Sequence, residues 1–573
     1  MAAAPDSTYD FIICGVSSAL ISGGTSGCVV AARLAEDPNV KVLVLEAGPH
    51  NEHLENVHMV GGWSNNFDKE TDWNVVSIPG PGVNNRSVKL SRGKFLGGSS
   101  GCNGTLMVKG MKQDYDDWNL PGWSGDEMFK YMLKAENFHT KDWFKETKGA
   151  HGYEGHVHTE PHDLAPISNL IGESMVSKGL PLDHDITVHQ GLRTTSADFI
   201  TKQKPRDNLH LMVETHVDKV IIEKDGQGEL KATGVRGVKA DGSVVELKAS
   251  KEVIISSGAY CSPNVLNRSG IGAKVELEQH GITTLVDLPG VGKNLQDHLI
   301  VFMFYETDKE GLTTDSLVYH GNALEKAYTQ WKEDKKGPLT VFPFGIFAYA
   351  RMDERLADSK IWNAAPRKEG RDPMGLTPKQ PQIEFFTTEC YGGPKQYDQF
   401  PIDNKHAFSM IAELFAPKSR GTVTLRDASA TSVPVVDCNY LSDPLDLEVL
   451  AEACAFGNEI ITEGSGTKDI VKGSWPSDLV HHKYKTREDW KEYVKDNATT
   501  CYHASGSCAA GKKDNPMAVV DEKLQVYGVK GLRVADCSIM PTVNNGHTQM
   551  PAYGIGEKAA DLIKERWALS AKL

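Results

Sequence analysis

Two histidines near the carboxyl end, His503 and His547, lie 44 positions apart in stretches of small and polar residues. One sits in Tyr502-His503-Ala504-Ser505-Gly506 and the other in Asn544-Asn545-Gly546-His547-Thr548-Gln549. Imidazole is the side chain best suited to take up a proton near neutral pH, so either could act as a general base. Between them, Gly531-Leu532-Arg533-Val534-Ala535-Asp536 reads as an apolar strand that delivers an acid to a turn closing at Pro541. Such a strand end commonly brings polar groups to the edge of a cofactor. A histidine by itself is more often a surface or core hydrogen bonder than a catalyst. What favours chemistry here is the opening of the chain.

Tyr9 to Gly15 is a short apolar run closing on glycine, which predicts a buried first strand. Gly23-Gly24-Thr25-Ser26-Gly27 leads into Cys28–Glu36, where apolar residues recur with helical spacing, and Lys41–Glu46 reads as a second strand ending in an acid. Strand, glycine turn, helix, strand and acid make a dinucleotide-binding βαβ unit. Gly15, Gly24 and Gly27 would let the backbone approach a pyrophosphate at the helix N-terminus, beside Thr25 and Ser26. Glu46 would receive ribose hydroxyls, and it lies 19 residues beyond Gly27 where the fingerprint asks for roughly 20. One stretch breaks the pattern. Val16 to Ser22 intrudes after Gly15, and without it Gly15, Gly24 and Gly27 would form an uninterrupted G-x-G-x-x-G. We read it as an insertion looped out of the phosphate turn.

Ser91-Arg92-Gly93-Lys94-Phe95-Leu96-Gly97-Gly98-Ser99-Ser100-Gly101 continues to Cys102, Asn103 and Gly104. The glycine and serine run from Gly97 to Gly101 argues against a regular helix or core strand there. Its backbone amides are expected to be free for a phosphate or for the polar edge of a flat ring. Apolar Phe95, Leu96, Leu106 and Met107 around it argue against a flexible surface loop.

These stretches together resemble the glucose–methanol–choline (GMC) family of FAD-dependent oxidoreductases. Arg92 through Ser100 and on to Asn103 is similar to that family's first signature, and Gly258-Ala259-Tyr260-Cys261-Ser262-Pro263 through Gly272 to its second. Pro289-Gly290-Val291-Gly292-Lys293-Asn294-Leu295-Gln296-Asp297-His298 follows at the family's place, and His503 and His547 match its active-site pair. The resemblance implies an α/β plus α+β fold. A Rossmann-like FAD-binding domain of the p-hydroxybenzoate-hydroxylase type would be roofed by an antiparallel-sheet substrate domain. It assigns 1–165, 207–300 and 500–573 to the first domain, and 166–206 and 301–499 to the second. It also implies FAD contacts from Arg92, Gly97, Gly98, Ser99, Asn103 and Gly104, from the backbone at Val217 to the adenine, and from Asp536, Thr548 and Gln549. In some members a histidine just before the signature asparagine binds the flavin covalently. Cys102 stands there in this chain, which implies dissociable FAD.

By the same resemblance, His503 would be the base for an alcohol hydroxyl, and His547 would position that hydroxyl and stabilise developing alkoxide. Hydride would pass to the flavin. Formate-oxidising relatives carry arginine at the second place, so His547 points to an alcohol, of primary or aryl type, oxidised to the aldehyde. A protonated His503 would favour O2 as acceptor with H2O2 formed, although a dehydrogenase using another acceptor would carry the same signatures. Two further readings stay open: a non-redox lyase or cyclase in which flavin is structural, and a silent protein if the insertion abolishes FAD binding. Flavin bleaching under anaerobic alcohol separates the first, and a bound-flavin spectrum the second.

The remaining sequence narrows the class. A length of 573 residues suits two interleaved domains rather than one ordinary core. With 40% hydrophobic and 24% charged residues and a mean hydropathy of −0.37, the composition is that of a soluble globular protein. There is no apolar run of the roughly 18 residues needed to span a bilayer. A net charge of −14 argues against nucleic acid and anionic membranes as partners; the partners that the resemblance implies are a small-molecule alcohol and O2 or another electron acceptor. Ten cysteines without a C-x-x-C indicate neither a zinc site nor a disulfide framework. His151, His156, His158 and His162 cluster in sequence, but no carboxylate–cysteine set completes a metal site, and no metal is expected. Alternation at Gln382–Phe386 and Phe408–Phe415 predicts strands. Phe342, Phe344, Phe347, Tyr349, Phe385, Phe386, Tyr391, Phe408 and Phe415 are expected to line an apolar cavity. No secretory signal is visible at Met1–Ser7. Ala571-Lys572-Leu573 resembles the peroxisomal Ser-Lys-Leu, so the expectation is an intracellular and peroxisomal protein.

Overall fold

The computed structural model describes residues 8–15, 24–144, 148–161, 163–180, 191–392 and 404–569. The intruding Val16–Ser22 stretch, His162 and the terminal tripeptide lie outside these residues.

Near-continuous apolar runs form strands buried on both faces, as a parallel sheet demands. β1 (Thr8–Cys14) and β2 (Val42–Leu45) pair in parallel, with Ile12 opposite Leu43. β3 (Leu209–Met212) extends the sheet beyond β2, also in parallel. β4 (Thr215–Lys224), β5 (Leu230–Lys239) and β6 (Val244–Ile255) form an antiparallel meander. The far half of β6 returns alongside β1 in parallel, which gives the order β3-β2-β1-β6-β5-β4. The strand expected before Asp536 is β13 (Leu532–Val534), parallel to β6.

A second sheet is antiparallel throughout. Its members are β7 (Leu299–Thr307), β8 (Phe344–Ala350), β9 (Ile383–Thr388), β10 (His406–Leu414) and β11 (Val471–Ser474), in the order β8-β9-β10-β7-β11. β12 (Thr499–Thr500) pairs with the start of β7.

Five of the helices frame the sheets and their cores: α1 (Gly24–Leu34), α2 (Gly125–Ala135), α3 (Ser262–Arg268), α4 (Pro444–Glu463) and α5 (Gln549–Trp567). α1 starts at Gly24, earlier than the periodicity predicts, so Thr25-Ser26-Gly27 form its first turn. Ten of its eleven residues are buried, because it lies between the first sheet and α5. The two helices cross closely: a Cβ added at Gly556 would come within 2.8 Å of the Ser26 carbonyl oxygen. Ser26 Oγ also donates to the Ala552 carbonyl at 2.7 Å. Ile12, Val29, Leu43, Ile254 and Ile555 belong to one core, while Phe385, Met410, Val449 and Phe456 belong to another beneath α4. Pro444 opens α4, and Asp443 caps it by accepting from Leu445 N at 2.9 Å. Among the described residues no helix is long and apolar enough to cross a membrane.

β13, β6 and α5 are pinned by one buried ion pair. Arg533 Nε donates to Glu252 Oε2 at 2.6 Å and Nη2 to Oε1 at 3.1 Å, with both side chains 1% exposed. Trp567 Nε1 adds a bond to Oε1 at 2.9 Å. Removing the arginine would leave a buried carboxylate with, among the described residues, only Arg566, at 3.2 Å, as a cation. Arg533→Met is expected to cost about 3 kcal/mol, read as a fall in Tm. Adding Glu252→Gln should recover most of that loss, and an unchanged Tm in the single variant would refute it.

Candidate active site

Glu384 of β9 stands directly opposite Glu413 of β10, and both are fully buried. Like charges facing across a ladder repel, and a buried carboxylate needs donors or cations. Three histidines from other elements supply them. His503 Nδ1 lies 3.1 Å from Glu413 Oε1. His298 Nδ1 is 3.0 Å from the same oxygen and 3.0 Å from His503 Nδ1. His547 Nε2 is 2.8 Å from Glu384 Oε2 and 3.8 Å from Glu413 Oε2. The rings of His503 and His547 are 4.6 Å apart, centroid to centroid.

Local structure explains how they meet. His298 directly precedes β7 and His503 follows β12, and those strands pair with Leu299 opposite Thr500. Cys501 N donates to the His298 carbonyl at 2.8 Å. Asp297 fixes the turn between them. One oxygen accepts from His503 N at 2.7 Å, and the other from Thr500 Oγ1 and Tyr440 OH, both at 2.6 Å. His547 reaches the pair from the loop that opens α5.

The environments push the two imidazoles apart. Burial drives His503 down to about 3, against the upward pull of Glu413, so its ring is neutral. Burial would also lower His547, but the Glu384 carboxylate outweighs it and raises that ring. Glu413 is held well below the usual carboxylate range: burial opposes ionisation, but bonds from His298 and His503 prevail. Glu384 moves upward because burial dominates. With Nδ1 of His503 committed to Glu413, Nε2 is the nitrogen left to accept a proton; for His547 the remaining nitrogen is Nδ1. These donor types would also suit a metal. Their closest N···O spacings, 2.8 to 3.1 Å, are hydrogen-bond lengths, and we describe the set as a proton network.

His503 and His547, 8% and 5% exposed against 0% for His298, face a cavity of about 190 Å³. Phe342, Phe344 and Phe386 line it as expected, joined by Trp63, Phe67 and Phe302. Phe385 and Phe408 are core instead, and Phe347 and Tyr349 face a different cavity. Of the expected cofactor residues, Thr25, Ser26, Arg92, Ser99, Asn103, Gly104, Asp536, Thr548 and Gln549 line the same space. Asp536 also holds the second signature, accepting from Gly258 N at 2.8 Å and Ser262 Oγ of α3 at 2.5 Å.

Gly15, Gly24, Gly27, Glu46, Gly97, Gly98 and Val217 do not line it. Gly24 packs on the signature loop, where an added Cβ would sit 2.0 Å from the Gly97 carbonyl carbon. Gly27 packs beside Gly15 at the end of β1. Gly97, at φ +94°, needs the left-handed freedom of glycine. The expectation of free amides over Gly97–Gly101 fails in part: Gly98 N donates to the Phe95 carbonyl, and Cys102 N just beyond the run to that of Ser99, where the loop folds into a single 3₁₀ turn over Gly98–Gly101. Val217 is buried in β4, its carbonyl 3.4 Å from Arg268 Nη2. Glu46 directly follows β2 at 1% exposure; Oε1 accepts from Gly48 N at 2.8 Å, and Oε2 has no partner among the described residues. Burial pushes this carboxyl up to about 8. The other clustered histidines have structural partners: His151 bonds Glu136 at 3.1 Å, His158 bonds His139 at 2.8 Å, and His156 accepts from Gln203 at 3.1 Å.

The sequence reading missed Asp297 and His298 as side chains of the site, and missed Glu384, Glu413 and Arg193 altogether. An acid inside an apolar alternation, as in Ile383-Glu384-Phe385 and Ala412-Glu413-Leu414, was the available signal for two of them. Arg193 carried none. It is 1% exposed; Nη1 donates to the Asn103 carbonyl at 2.6 Å and to Asn103 Oδ1 at 2.7 Å, while Nε and Nη2 have no partner among the described residues. Arg92 Nη2 is likewise buried and without a partner among the described residues. Each such group costs about 1–3 kcal/mol when unpaired. Together with Glu46 Oε2 they fit a ligand that carries both negative charge and hydroxyl groups.

The chain matches the models of GMC oxidoreductases over residues 16–300 and 417–556. It belongs to that family. Along 98% of its length it is 31% identical to dehydrogenase pkfF of Emericella nidulans, covering 94% of that protein. It is 30% identical to an oxygen-dependent choline dehydrogenase of Rhizobium meliloti, over 96% of either chain. The crystal structure of a formate oxidase superimposes with a TM-score of 0.89 at 29% identity, over 99% of this chain and 100% of that one. GMC proteins are flavoproteins that bind FAD, and this chain is an enzyme, a GMC oxidoreductase of the class acting on CH–OH donors.

Glu46 gives a pH test. Its folded value of about 8 lies above the unfolded value of roughly 4.3. Between the two, the folded chain holds a proton that the unfolded chain has lost, so stability falls as pH rises through this window. Calorimetry on flavin-free protein should show the Tm of Glu46→Gln declining less from pH 5 to pH 8 than that of the parent. Parallel declines would count against a raised Glu46.

Proposed function

We propose that this enzyme oxidises a primary or aryl-type alcohol to the aldehyde with non-covalently held FAD, passing electrons to O2 with formation of H2O2. The observation that carries this reading is the pair of His503 and His547 on an aromatic-walled cavity, one imidazole held neutral and the other drawn toward its cation. FAD, when bound, supplies the hydride acceptor.

The chain's own residues do the rest. Glu413 holds His503 Nδ1, so Nε2 offers its lone pair to the substrate hydroxyl proton. His547, its Nε2 on Glu384, presents Nδ1–H to the oxygen on which charge develops. Phe342, Phe344, Phe386 and Trp63 exclude water and favour an apolar body beside the hydroxyl carbon. A proton held on His503, with Glu413 at its Nδ1, would offset charge on forming superoxide and so favour O2 as acceptor. The relationship to an oxygen-dependent choline dehydrogenase agrees with both the alcohol donor and that acceptor. Burial raises the Cys102 thiol to about 11, which leaves little thiolate and supports a dissociable cofactor.

Arg193, Glu46 and the first turn of α1 would hold the charged and hydroxylated parts of FAD. Arg193→Met is expected to weaken FAD binding by roughly tenfold or more, measured by the fluorescence of flavin released on dilution. Equal retention in parent and variant would remove Arg193 from the cofactor site. Rapid mixing with an aryl alcohol under anaerobic conditions should bleach the flavin absorbance. His503→Ala should keep FAD but slow that bleaching by about 10²–10⁴-fold. A variant reduced as fast as the parent would show that His503 is not the base.

A further inference from the structure

A second cavity, about 830 Å³, shares no lining residue with the one that His503 and His547 face. Its walls come from six separate stretches: Met107–Lys112, α2, Lys148–Ala150, the end of β8 with Arg351, Pro378–Pro381, and Asn545. Phe129, Leu133, Phe347 and Tyr349 give it an apolar lining. Its charge is unlike that of the molecule around it. Lys109, Lys112, Lys130, Lys148, Lys379 and Arg351 line it against a single acid, Asp126, on a chain whose net charge is −14.

Three of those cations are already satisfied. Arg351 bonds Asp353 at 2.7 Å and Asp372 at 2.8 Å, Lys109 lies 3.1 Å from Glu136, and Lys112 lies 2.6 Å from Asp126. Lys130, Lys148 and Lys379 make no ion pair with any carboxylate among the described residues. All three are exposed side chains on the lining of a concave space. Its volume falls within the roughly 300–1,000 Å³ typical of small-molecule sites. A concave low-dielectric wall focuses the field of such lysines and raises the local concentration of anions, even where the rest of the surface repels them. A cation would be repelled from the same space, and a fully polar anion would leave the apolar lining uncovered.

We propose that this cavity binds an amphiphilic organic anion, an aryl or alkyl body bearing a carboxylate, sulfonate or phosphate. The body covers Phe129, Leu133 and Phe347, and the anionic group meets Lys130, Lys148 and Lys379. The proposal is independent of the alcohol-oxidase reading, because none of these residues belongs to the catalytic cavity.

Isothermal titration of the flavin-loaded enzyme with 2-naphthoate, and with its uncharged isostere 2-naphthamide, tests it. Naphthoate is expected to bind the more tightly, and its affinity to fall as NaCl rises from about 20 to about 300 mM. The triple variant Lys130→Glu/Lys148→Glu/Lys379→Glu should weaken naphthoate by roughly tenfold or more while leaving naphthamide and alcohol turnover about unchanged. The milder Lys→Gln triple should move naphthoate in the same direction by less. Naphthoate binding that is equal in parent and triple variant would place the anion elsewhere, the His503 cavity included, and overturn the proposal. Equal weakening of both ligands would show loss of shape rather than of charge recognition, and would overturn it too.

Discussion

Two carboxylates that face each other across neighbouring buried strands set the terms for everything around them. Glu384 and Glu413 are opposed in the register of β9 and β10, with no exposed surface. At a cross-strand separation of about 5 Å, two ionised groups would repel by about 3 kcal/mol even at the effective dielectric of a protein interior. The structure meets this with imidazoles rather than with lysine or arginine: His298 and His503 on Glu413, and His547 on Glu384. The residues that face the cavity are therefore also the charge partners of the sheet beneath it. Chemistry and folding draw on the same hydrogen bonds.

An imidazole can serve either protonation state, which a fixed cation cannot. Here burial wins at His503 and the carboxylate wins at His547. When the environments of two similar groups push their acidities apart, acid and base roles are already divided before substrate arrives. Asp297 adds the positional half of this division by holding the His503 backbone, and so links the His298 turn to the strand end after β12. Tautomer is set by the same contacts: each ring has one nitrogen tied to glutamate and one left for the cavity.

Much of the fold was legible in the chain as written. The opening strand–helix–strand unit, the strands near Phe385 and Phe408, and the strand before Asp536 all form where periodicity places them. Boundaries were less legible. α1 begins within the glycine turn because Gly24 packs directly on Gly97 and Gly98, a contact between segments more than seventy residues apart. For the same reason the signature loop spends two of its amides internally as it folds into a tight turn. Nine of the expected cofactor residues line one cavity, but Glu46, Val217 and five of the glycines do not. Arg193 had no local mark, since an arginine becomes informative only once it is known to be buried without an acid.

By itself the sequence determined the family, the βαβ opening, the signature loops and the two histidines, because each is carried by residue type at short, fixed spacing. The tertiary structure alone decided which acid lies against which imidazole, and hence which nitrogen is free to take a proton. It also decided that lysines from separate stretches surround one cavity. A period of two tells which face of a strand is buried, but not which residue stands opposite on its neighbour. That choice belongs to register and to long-range packing, and the protonation of His503 and His547 depends on it.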